Sequence, residues 1–248
     1  MKRHKNLTLR KPGNTSLFRA TAFNKTNVME FFDNYDRALR SWEFTADRVY
    51  NIDETGVSRV VLSPIIVAQI GMQQVGKAVS GERETVIALC MIISSVDNTV
   101  PLAFIFPRVR LHDSLTIGAP PGSLGLVNSP QSFWMTGPLF LKVLERAKKH
   151  TRIFKEDHII LLMDNHENYC TLDSILYARE NGITLANFPP HCSHRLQPLD
   201  VGVMRPFIGK LRVAKKDWMA SNRGKVITVP HLALLTNAAY QAFVLRII

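Results

Sequence analysis

The strongest constraint on the fold is the stretch from residue 158 to 189, in which two apolar segments flank a helix-forming one. His158 to Met163 is apolar without alternation, which is typical of a strand buried on both faces. Residues 171–181 predict a helix that ends at Asn181-Gly182, and Ile183 to Phe188 predict a second strand. Two strands joined by a helix in so short a span predict a parallel βαβ crossover.

A helix and a hairpin are expected before this unit. Helical spacing of apolar residues predicts a helix over about residues 27–44, with Asn27 as its N-cap and Glu30 completing a capping box. Residues 85–95 and 100–106 are apolar runs joined by a short polar turn. This pattern predicts a β-hairpin.

The segments on either side of the βαβ unit are less regular. Residues 107–135 are rich in Pro, Gly and Ser without a period, which predicts a long loop. Thr136-Gly137-Pro138 predicts the start of a helix, and the three basic residues from Lys148 to His150 predict its end. After Asp200 the apolar spacing predicts a last helix, which Pro206 should kink or delay.

Charge is unevenly distributed along the 248 residues, whose formal net charge is +11. Residues 1–25 and residues 201–248 each carry a net charge of +7, while residues 26–200 hold 16 basic and 19 acidic residues. Basic ends around a mildly acidic centre suit a protein that binds a polyanion and presents carboxylates to it. A soluble basic domain with solvated lysines explains the charge equally well.

Two classes of protein are disfavoured. The uncharged apolar runs are shorter than the ~20 residues that a helix needs to cross a bilayer, so we expect no membrane partner. The three cysteines, Cys90, Cys170 and Cys192, have wide and irregular spacing. This spacing argues against a disulfide framework and fits a reducing compartment.

Three aspartates occupy positions where catalytic groups gather. Asp53 ends a short β-prone run, Asp164 follows the most apolar strand, and Asp200 precedes the last helix. The carboxyl ends of strands in an open α/β sheet are the usual place for sites. Any one of these residues has a simpler explanation as a turn or N-cap residue, and only the set of three indicates a site.

The chemistry that suits such a set is metal-assisted. Magnesium prefers oxygen ligands and keeps water and substrate phosphate in its coordination shell. Two such ions ~3.5–4 Å apart activate a nucleophile and stabilise the leaving oxygen in phosphodiester cleavage. Without a cation, clustered carboxylates raise each other's pKa, so a metal would make the cluster tolerable.

Three blocks of sequence resemble the acidic blocks of the pogo/Tigger/jerky group of transposases, within the DDE endonucleases of the mariner superfamily. They are Tyr50-Asn51-Ile52-Asp53-Glu54-Thr55-Gly56-Val57, Leu161-Leu162-Met163-Asp164-Asn165-His166 and the segment from Phe188 to Gly202, FPPHCSHRLQPLDVG. Two supporting stretches also resemble the family, in residues 9–20 and 132–136. The chain departs from the family pattern after Asp164, where it continues Glu167-Asn168-Tyr169-Cys170.

The resemblance implies an α/β fold class with an RNase H-like fold: a mixed sheet in which a hairpin is followed by a parallel βαβ unit, with flanking helices. It implies that Asp53, Asp164 and Asp200 are the catalytic and metal-binding triad, with Mg²⁺ or Mn²⁺ as cofactor. The expected function is a transposase-derived DDE endonuclease that acts on DNA by two-metal-ion catalysis. The alternative is a domesticated, catalytically inactive DNA-binding or chromatin-associated protein in the same family.

The resemblance also carries expectations about organisation and partners. Residues 1–46 would be a basic leader and helix, the remnant linker after a missing helix-turn-helix module, and residues 47–248 the endonuclease domain. DNA is the expected partner and the nucleus the expected location. A homodimer, and a partner protein that supplies a helix-turn-helix module, stay open.

Other residues receive structural interpretations first. Glu54 should point away from Asp53 and serve a structural or capping role, because neighbouring side chains on a strand alternate. Trp134 and Trp218 are expected in the core, and His191-Cys192-Ser193-His194 lacks a zinc-ligand spacing. DNA-phosphate contacts and a solvated polar face are equally supported for four basic residues of the last helix: Lys210, Arg212, Lys215 and Lys216.

Overall fold

The fold is built on a six-stranded mixed sheet. The computed structural model describes residues 21–61, 85–153 and 156–244. The strands lie in the order β4-β3-β2-β1-β5-β6. Their bounds are β1 Val49–Ser58, β2 Val86–Ser94, β3 Thr99–Pro107, β4 Leu124–Asn128, β5 Ile159–Met163 and β6 Ile183–Asn187.

Helices cover the sheet and connect its strands. They are α1 Lys25–Ser41, α2 Gly137–Thr151, α3 Leu172–Glu180, the four-residue α4 Ser193–Leu196, α5 Met204–Ser221 and α6 Val229–Val244. Short 3₁₀ turns at Ala46–Arg48 and Asp113–Leu115 and a π turn at Leu199–Val203 complete the elements. Among the described residues, none of the helices combines the length and the apolar character needed to cross a bilayer.

The pairing of the strands confirms the hairpin and the βαβ unit. Strand β2 pairs antiparallel with β3 and with β1, which makes β1 to β3 a continuous meander. Strand β5 pairs parallel with β1 on one side and with β6 on the other, with α3 as the crossover helix between β5 and β6. The antiparallel and parallel halves of the sheet therefore meet at β1.

The sheet is covered on both faces, which explains the unbroken apolar run of β2. One core cluster contains Ala88, Cys90 and Ile92 together with residues of α2 and α3. The other contains Ile87, Leu89, Met91 and Ile93 with residues of α5 and α6. Because successive side chains on a strand point to opposite faces, an uninterrupted apolar strand requires cover on both sides.

Helix α1 begins earlier than the sequence predicted. Asn24, and not Asn27, is its N-cap: the side-chain Oδ1 of Asn24 accepts the backbone N–H of Asn27 at 3.0 Å. The Asn27 side chain is occupied with the carbonyl of Ala22 at 2.9 Å, so the predicted capping box is wrong. The helix packs through Phe31 against Phe188 and Leu162 beside the βαβ unit.

The expected loop at 107–135 contains a strand that the sequence did not reveal. Residues Leu124–Asn128 form β4 and pair parallel with β3, from Ala103↔Leu124 to Pro107↔Asn128. Only Leu126 of the five is buried, so the segment has no strong apolar signal. Its backbone groups are satisfied by a strand some twenty residues earlier in the chain, which a local pattern cannot show.

Pro206 has the expected effect on the last part of the chain. The residues from Leu199 form a π turn, and regular α-helix starts only at Met204. Pro206 therefore lies in the first turn of α5, where its missing N–H is tolerated. The delay that the sequence predicted is confirmed.

The packing of α5 gives a stability prediction. Phe207 is fully buried under the sheet, whereas Val213 on the same helix is 54% exposed. We expect Phe207→Ala to lower the free energy of unfolding by about 3–5 kcal/mol, since it leaves a cavity in the core. The control substitution Val213→Ala should change it by less than about 0.5 kcal/mol. Urea denaturation measures both, and comparable losses would contradict the assigned faces of α5.

Candidate active site

Asp53 and Asp164 lie side by side at the edge where the pairing of β1 with β5 ends. The prediction that Asp53 ends its strand is wrong, because β1 continues to Ser58 through its pairing with β2. Strands β1 and β5 are parallel neighbours, and the last registered pair between them is Asn51↔Leu162. Asp53 and Asp164 each lie two residues beyond that pair, toward the carboxyl ends of the paired segments. Parallel pairing therefore brings together two acids that are more than a hundred residues apart in sequence.

Asp200 reaches this edge on the π turn that precedes α5. Its negative charge acts on Asp53, and so to a smaller extent does that of Asp164. Burial is the larger effect, and together with these charges it raises the pKa of Asp53 to about 8. The structure thus brings Asp53 and Asp200 close together, with Asp164 in electrostatic reach of Asp53.

The two oxygens of Asp53 have different surroundings. Oδ1 accepts the backbone N–H of Glu54 at 2.8 Å. Oδ2 is buried and accepts no N–H or O–H from the residues that the structure describes, while the Asp200 carboxyl lies within hydrogen-bonding reach of the Asp53 side chain. A buried carboxylate oxygen without a donor is costly, so this atom is suited to a proton or a cation.

Asp164 is held by the segment that leads to Asp200. Its Oδ1 accepts the hydroxyl of Ser193 at 2.6 Å and the backbone N–H of Asn165 at 3.1 Å. Ser193 is the first residue of α4, so this short helix contacts the second acid immediately before the chain turns to the third.

Two buried amides join the acidic segments to one another. The Asn51 side chain donates to the carbonyl of Leu162 and accepts the N–H of Leu199, both at 3.0 Å. Gln197 Nε2 donates to the carbonyl of Ile52, also at 3.0 Å. Sequence reasoning assigned these amides no role, although a polar residue between Tyr50 and Ile52 in a buried strand was the available signal.

Glu54 has the structural role that strand alternation predicted. Its Oε2 accepts the backbone N–H of Met135 at 3.2 Å, and its Oε1 accepts the hydroxyl of Tyr169. Tyr169 in turn packs against Phe140 of α2 with a ring-centroid distance of 4.7 Å. Glu54 therefore links β1 to the α2 side of the sheet and is not part of the Asp53 cluster.

The fit of the site to a divalent ion is partial. Carboxylate oxygens at one edge, one of them buried and unpaired, are the donors that magnesium and manganese prefer. As the side chains are placed, however, no three His, Cys, Asp or Glu residues within 21–61, 85–153 and 156–244 form a group that could hold a metal ion. A site with all three acids as ligands therefore needs their carboxylates to draw closer together.

The basic residues of α5 divide into two kinds. Lys215 is buried and donates to the carbonyl of Ser58 at the end of β1. Burial, with a contribution from the charge of Arg212, lowers the pKa of Lys215 to about 8. Lys215 is therefore a structural residue and no candidate for DNA contact, whereas Arg212 and Lys216 are exposed.

The two tryptophans that the sequence places in the core differ in their exposure. Trp218 packs at the margin of the α5–α6 core, as expected. Trp134 is 53% exposed, so its assignment to the core is wrong. It packs against Phe133 in a tilted arrangement at a centroid distance of 4.7 Å, and Phe133 is the ring that contacts the core.

The raised pKa of Asp53 predicts a pH dependence of stability in the metal-free protein. Between the usual value of 3.8 and about 8 the folded state retains a proton that the unfolded state has lost, so stability falls as pH rises through this window. Asp53→Asn removes the titration. We expect it to stabilise the protein at pH 8, relative to its effect at pH 5, by on the order of 1–3 kcal/mol.

Thermal and urea unfolding in the presence of a chelator measure this difference. Asp33→Asn, an exposed substitution on α1, is the control for the loss of one negative charge. If both substitutions show the same dependence on pH, Asp53 does not hold a proton in the folded state.

Comparison with known proteins gives a match to one family. Residues 128–239 match the DDE superfamily endonuclease family. This region includes Asp164 and Asp200, whereas Asp53 lies before it. A segment of 75 residues is 45% identical to the MFS-type transporter clz9 of Cochliobolus lunatus, but it covers only 29% of this chain and 8% of that protein. So short a segment carries no statement about the activity of the larger protein.

Solved structures show the same fold. A pre-cleavage Mos1 transpososome has a TM-score of 0.54 at 11% identity, over 97% of this chain and 67% of that one. The Mos1 mariner paired-end complex with Mn has a TM-score of 0.52 at 12% identity, over 100% of this chain and 65% of that one. The mixed α/β fold is therefore RNase H-like, as the sequence predicted. Within it, residues 128–239 are similar to the DDE superfamily endonuclease family.

Proposed function

We propose that this chain is a transposase-derived DDE endonuclease domain of the pogo/Tigger/jerky type, which binds DNA and cleaves its phosphodiester bonds. The observation that carries the proposal is the convergence of Asp53 and Asp200 beside Asp164 at one edge of the sheet. An endonuclease of this kind needs such a cluster because the carboxylates would hold the divalent cations that neutralise the reacting phosphate. The family match of residues 128–239 supports the same activity.

Asp53, Asp164 and Asp200 are the residues that would hold Mg²⁺ or Mn²⁺. When bound, such ions supply activation of the nucleophile and stabilisation of the leaving oxygen. Mos1 mariner paired-end complexes with Mn and with Mg are among the structural neighbours, which supports the same cofactor here. A cation beside Asp53 would also favour loss of the Asp53 proton. Without a cation, burial and the charge of Asp200 favour retention of that proton.

The surrounding residues orient the carboxylates. The Ser193 hydroxyl and the Asn165 N–H both donate to Asp164 Oδ1, which leaves Oδ2 available for a cation. The Glu54 N–H occupies Oδ1 of Asp53 in the same way, and the unpaired Oδ2 is then the donor oxygen. Each of these two acids thus has one oxygen fixed by the protein. The reacting group would be water or a DNA 3′ hydroxyl.

Charge supports DNA as the substrate. The chain has a net charge of +11, and α5, which directly follows Asp200, carries exposed Arg212 and Lys216. Cations on this helix would contact the phosphate backbone without reading base sequence. One of the structural neighbours is a Mos1 transposase paired-end complex with the left transposon end.

The proposal extends to the organisation of the working protein. Residues 1–46 would link the endonuclease domain of residues 47–248 to a helix-turn-helix module, supplied by a longer chain or by a partner. Homodimerisation would place two such sites on two DNA ends, and the place of action would be the nucleus.

A second candidate, an inactive DNA-binding or chromatin-associated relative, is favoured by one observation. Among the described residues the three carboxylates do not form a ready group for a metal ion. Such a relative would keep the fold and the basic surface, but its three carboxylates would not bind a cation together. The two candidates differ in whether the protein binds divalent ions.

DNA cleavage tests the endonuclease. The purified chain is incubated with DNA duplexes that carry transposon terminal repeats, in Mg²⁺ or Mn²⁺, and the products are resolved on denaturing gels. Asp164→Ala should lower the cleavage rate by about a thousandfold, because loss of a metal ligand removes several kcal/mol of transition-state stabilisation. Glu145→Ala, an exposed acid on α2, should leave the rate unchanged.

Metal titration by calorimetry separates the two candidates when cleavage is slow. Saturable Mn²⁺ binding by the wild type that disappears in Asp164→Ala supports the endonuclease. DNA binding without any saturable Mn²⁺ binding favours the inactive relative.

A further inference from the structure

Each of the three acidic segments is contacted close to its aspartate. Asn51 lies two residues before Asp53, and it donates to the carbonyl of Leu162, two residues before Asp164. The same side chain accepts the N–H of Leu199, the residue immediately before Asp200. One amide therefore touches all three segments, from the strand that it occupies itself.

Gln197 adds a second tie between two of these segments. Its Nε2 donates to the carbonyl of Ile52, the residue immediately before Asp53. The side chain is fully buried, and its Oε1 has no hydrogen-bond partner among the described residues. A buried polar residue that leaves one of its own atoms unpaired is a poor choice for stability, which suggests that its retained hydrogen bond has another use.

Asn51 lies where an amide side chain is uncommon, in the buried part of a strand. Asn51 is 7% exposed and lies in β1 between the buried residues Tyr50 and Ile52. An apolar residue would serve sheet packing at least as well, since a buried amide is tolerated only when its polar atoms are bonded. Both polar atoms of Asn51 are bonded, and both bonds go to the segments that carry the other two acids.

We propose that Asn51 and Gln197 form a positioning clasp, which sets the spacing of Asp53, Asp164 and Asp200 by hydrogen bonds to the backbone beside each acid. The clasp rests on the proposed metal-dependent function, because it matters only if the three carboxylates act together. Asn51 fixes the third segment against the paired strands β1 and β5, and Gln197 fixes the same segment against β1. Neither side chain is assigned contact with a metal ion or with DNA.

The geometry explains why loss of these hydrogen bonds would change the position of Asp200. Asp200 lies on a π turn, outside the sheet, so backbone pairing does not fix its distance from Asp53. At the amino-terminal end of this turn, the Leu199 N–H and the Gln197 side chain each donate a hydrogen bond to β1. Without them the third acid would keep its place in the sequence but lose its defined position relative to the other two.

Mn²⁺ titration of the full 248-residue chain by calorimetry tests the clasp. Asn51→Ala removes both bonds of Asn51, and Gln197→Met removes the bond to Ile52 while also removing the unpaired Oε1. We expect Asn51→Ala to weaken Mn²⁺ binding by about 10- to 100-fold, the range found when groups that orient metal ligands are removed. Gln197→Met, which removes one bond of the three, should weaken it by a smaller factor of at least about threefold.

Asn181→Ala is the matched control. Asn181 is also an asparagine with both polar atoms bonded, to Tyr177 and Lys148, but it ends α3 at the opposite edge of the sheet. Its substitution should lower the thermal unfolding temperature and leave Mn²⁺ affinity unchanged. Affinities are compared per folded molecule, with the folded fraction measured by circular dichroism.

The outcomes separate the clasp from the proposed function. If the wild type shows no saturable Mn²⁺ binding, the metal-dependent function and the clasp both fail. If the wild type binds and both variants bind within twofold of it, the clasp alone is overturned. Should Asn51→Ala not fold, Gln197→Met decides, because an unchanged affinity in that variant contradicts the clasp.

Discussion

Parallel pairing between β1 and β5 is the interaction on which the rest of the molecule depends. It joins the antiparallel meander of β1 to β3 to the βαβ unit, and it is the only sheet contact between these halves among the described residues. The same register sets Asp53 beside Asp164 at the carboxyl end of the pairing. Fold and candidate site therefore rest on one set of backbone hydrogen bonds, and a slip by one residue would turn every side chain of β1 to the other face.

Electrostatics at this edge oppose stability. Burial and the charge of Asp200 raise the pKa of Asp53, so the metal-free protein keeps a proton on an acid that water would ionise. The surrounding core offsets such a cost: both faces of the sheet are covered, and large side chains such as Phe104, Phe140 and Phe207 are fully buried. A rigid, well-packed scaffold that holds unfavourable charges together is a common arrangement for a functional site.

The third acid, Asp200, is positioned in a different way. Asp53 and Asp164 are placed by strands, but Asp200 lies on a π turn whose approach depends on side-chain contacts. Ser193 donates to Asp164 itself, and Gln197 donates to the carbonyl of Ile52, the residue before Asp53. The N–H of Leu199 donates to the side chain of Asn51 on the same strand as Asp53. Because π turns are often found at functional sites, the irregular start of α5 agrees with a functional role for this segment.

The sequence by itself determined the elements whose signals are local. The apolar run before Asp164 and the glycine after Asn181 predicted the βαβ unit, and the apolar runs at 85–95 and 100–106 predicted the hairpin. The alternation of side chains along a strand predicted the structural role of Glu54. Only the tertiary structure decided β4, whose partner strand is distant, the burial of Lys215, and the contacts of Asn51 and Gln197. Each of these features depends on hydrogen bonds between segments that are separated in the chain. No local spacing of residue types encodes where such a partner will lie.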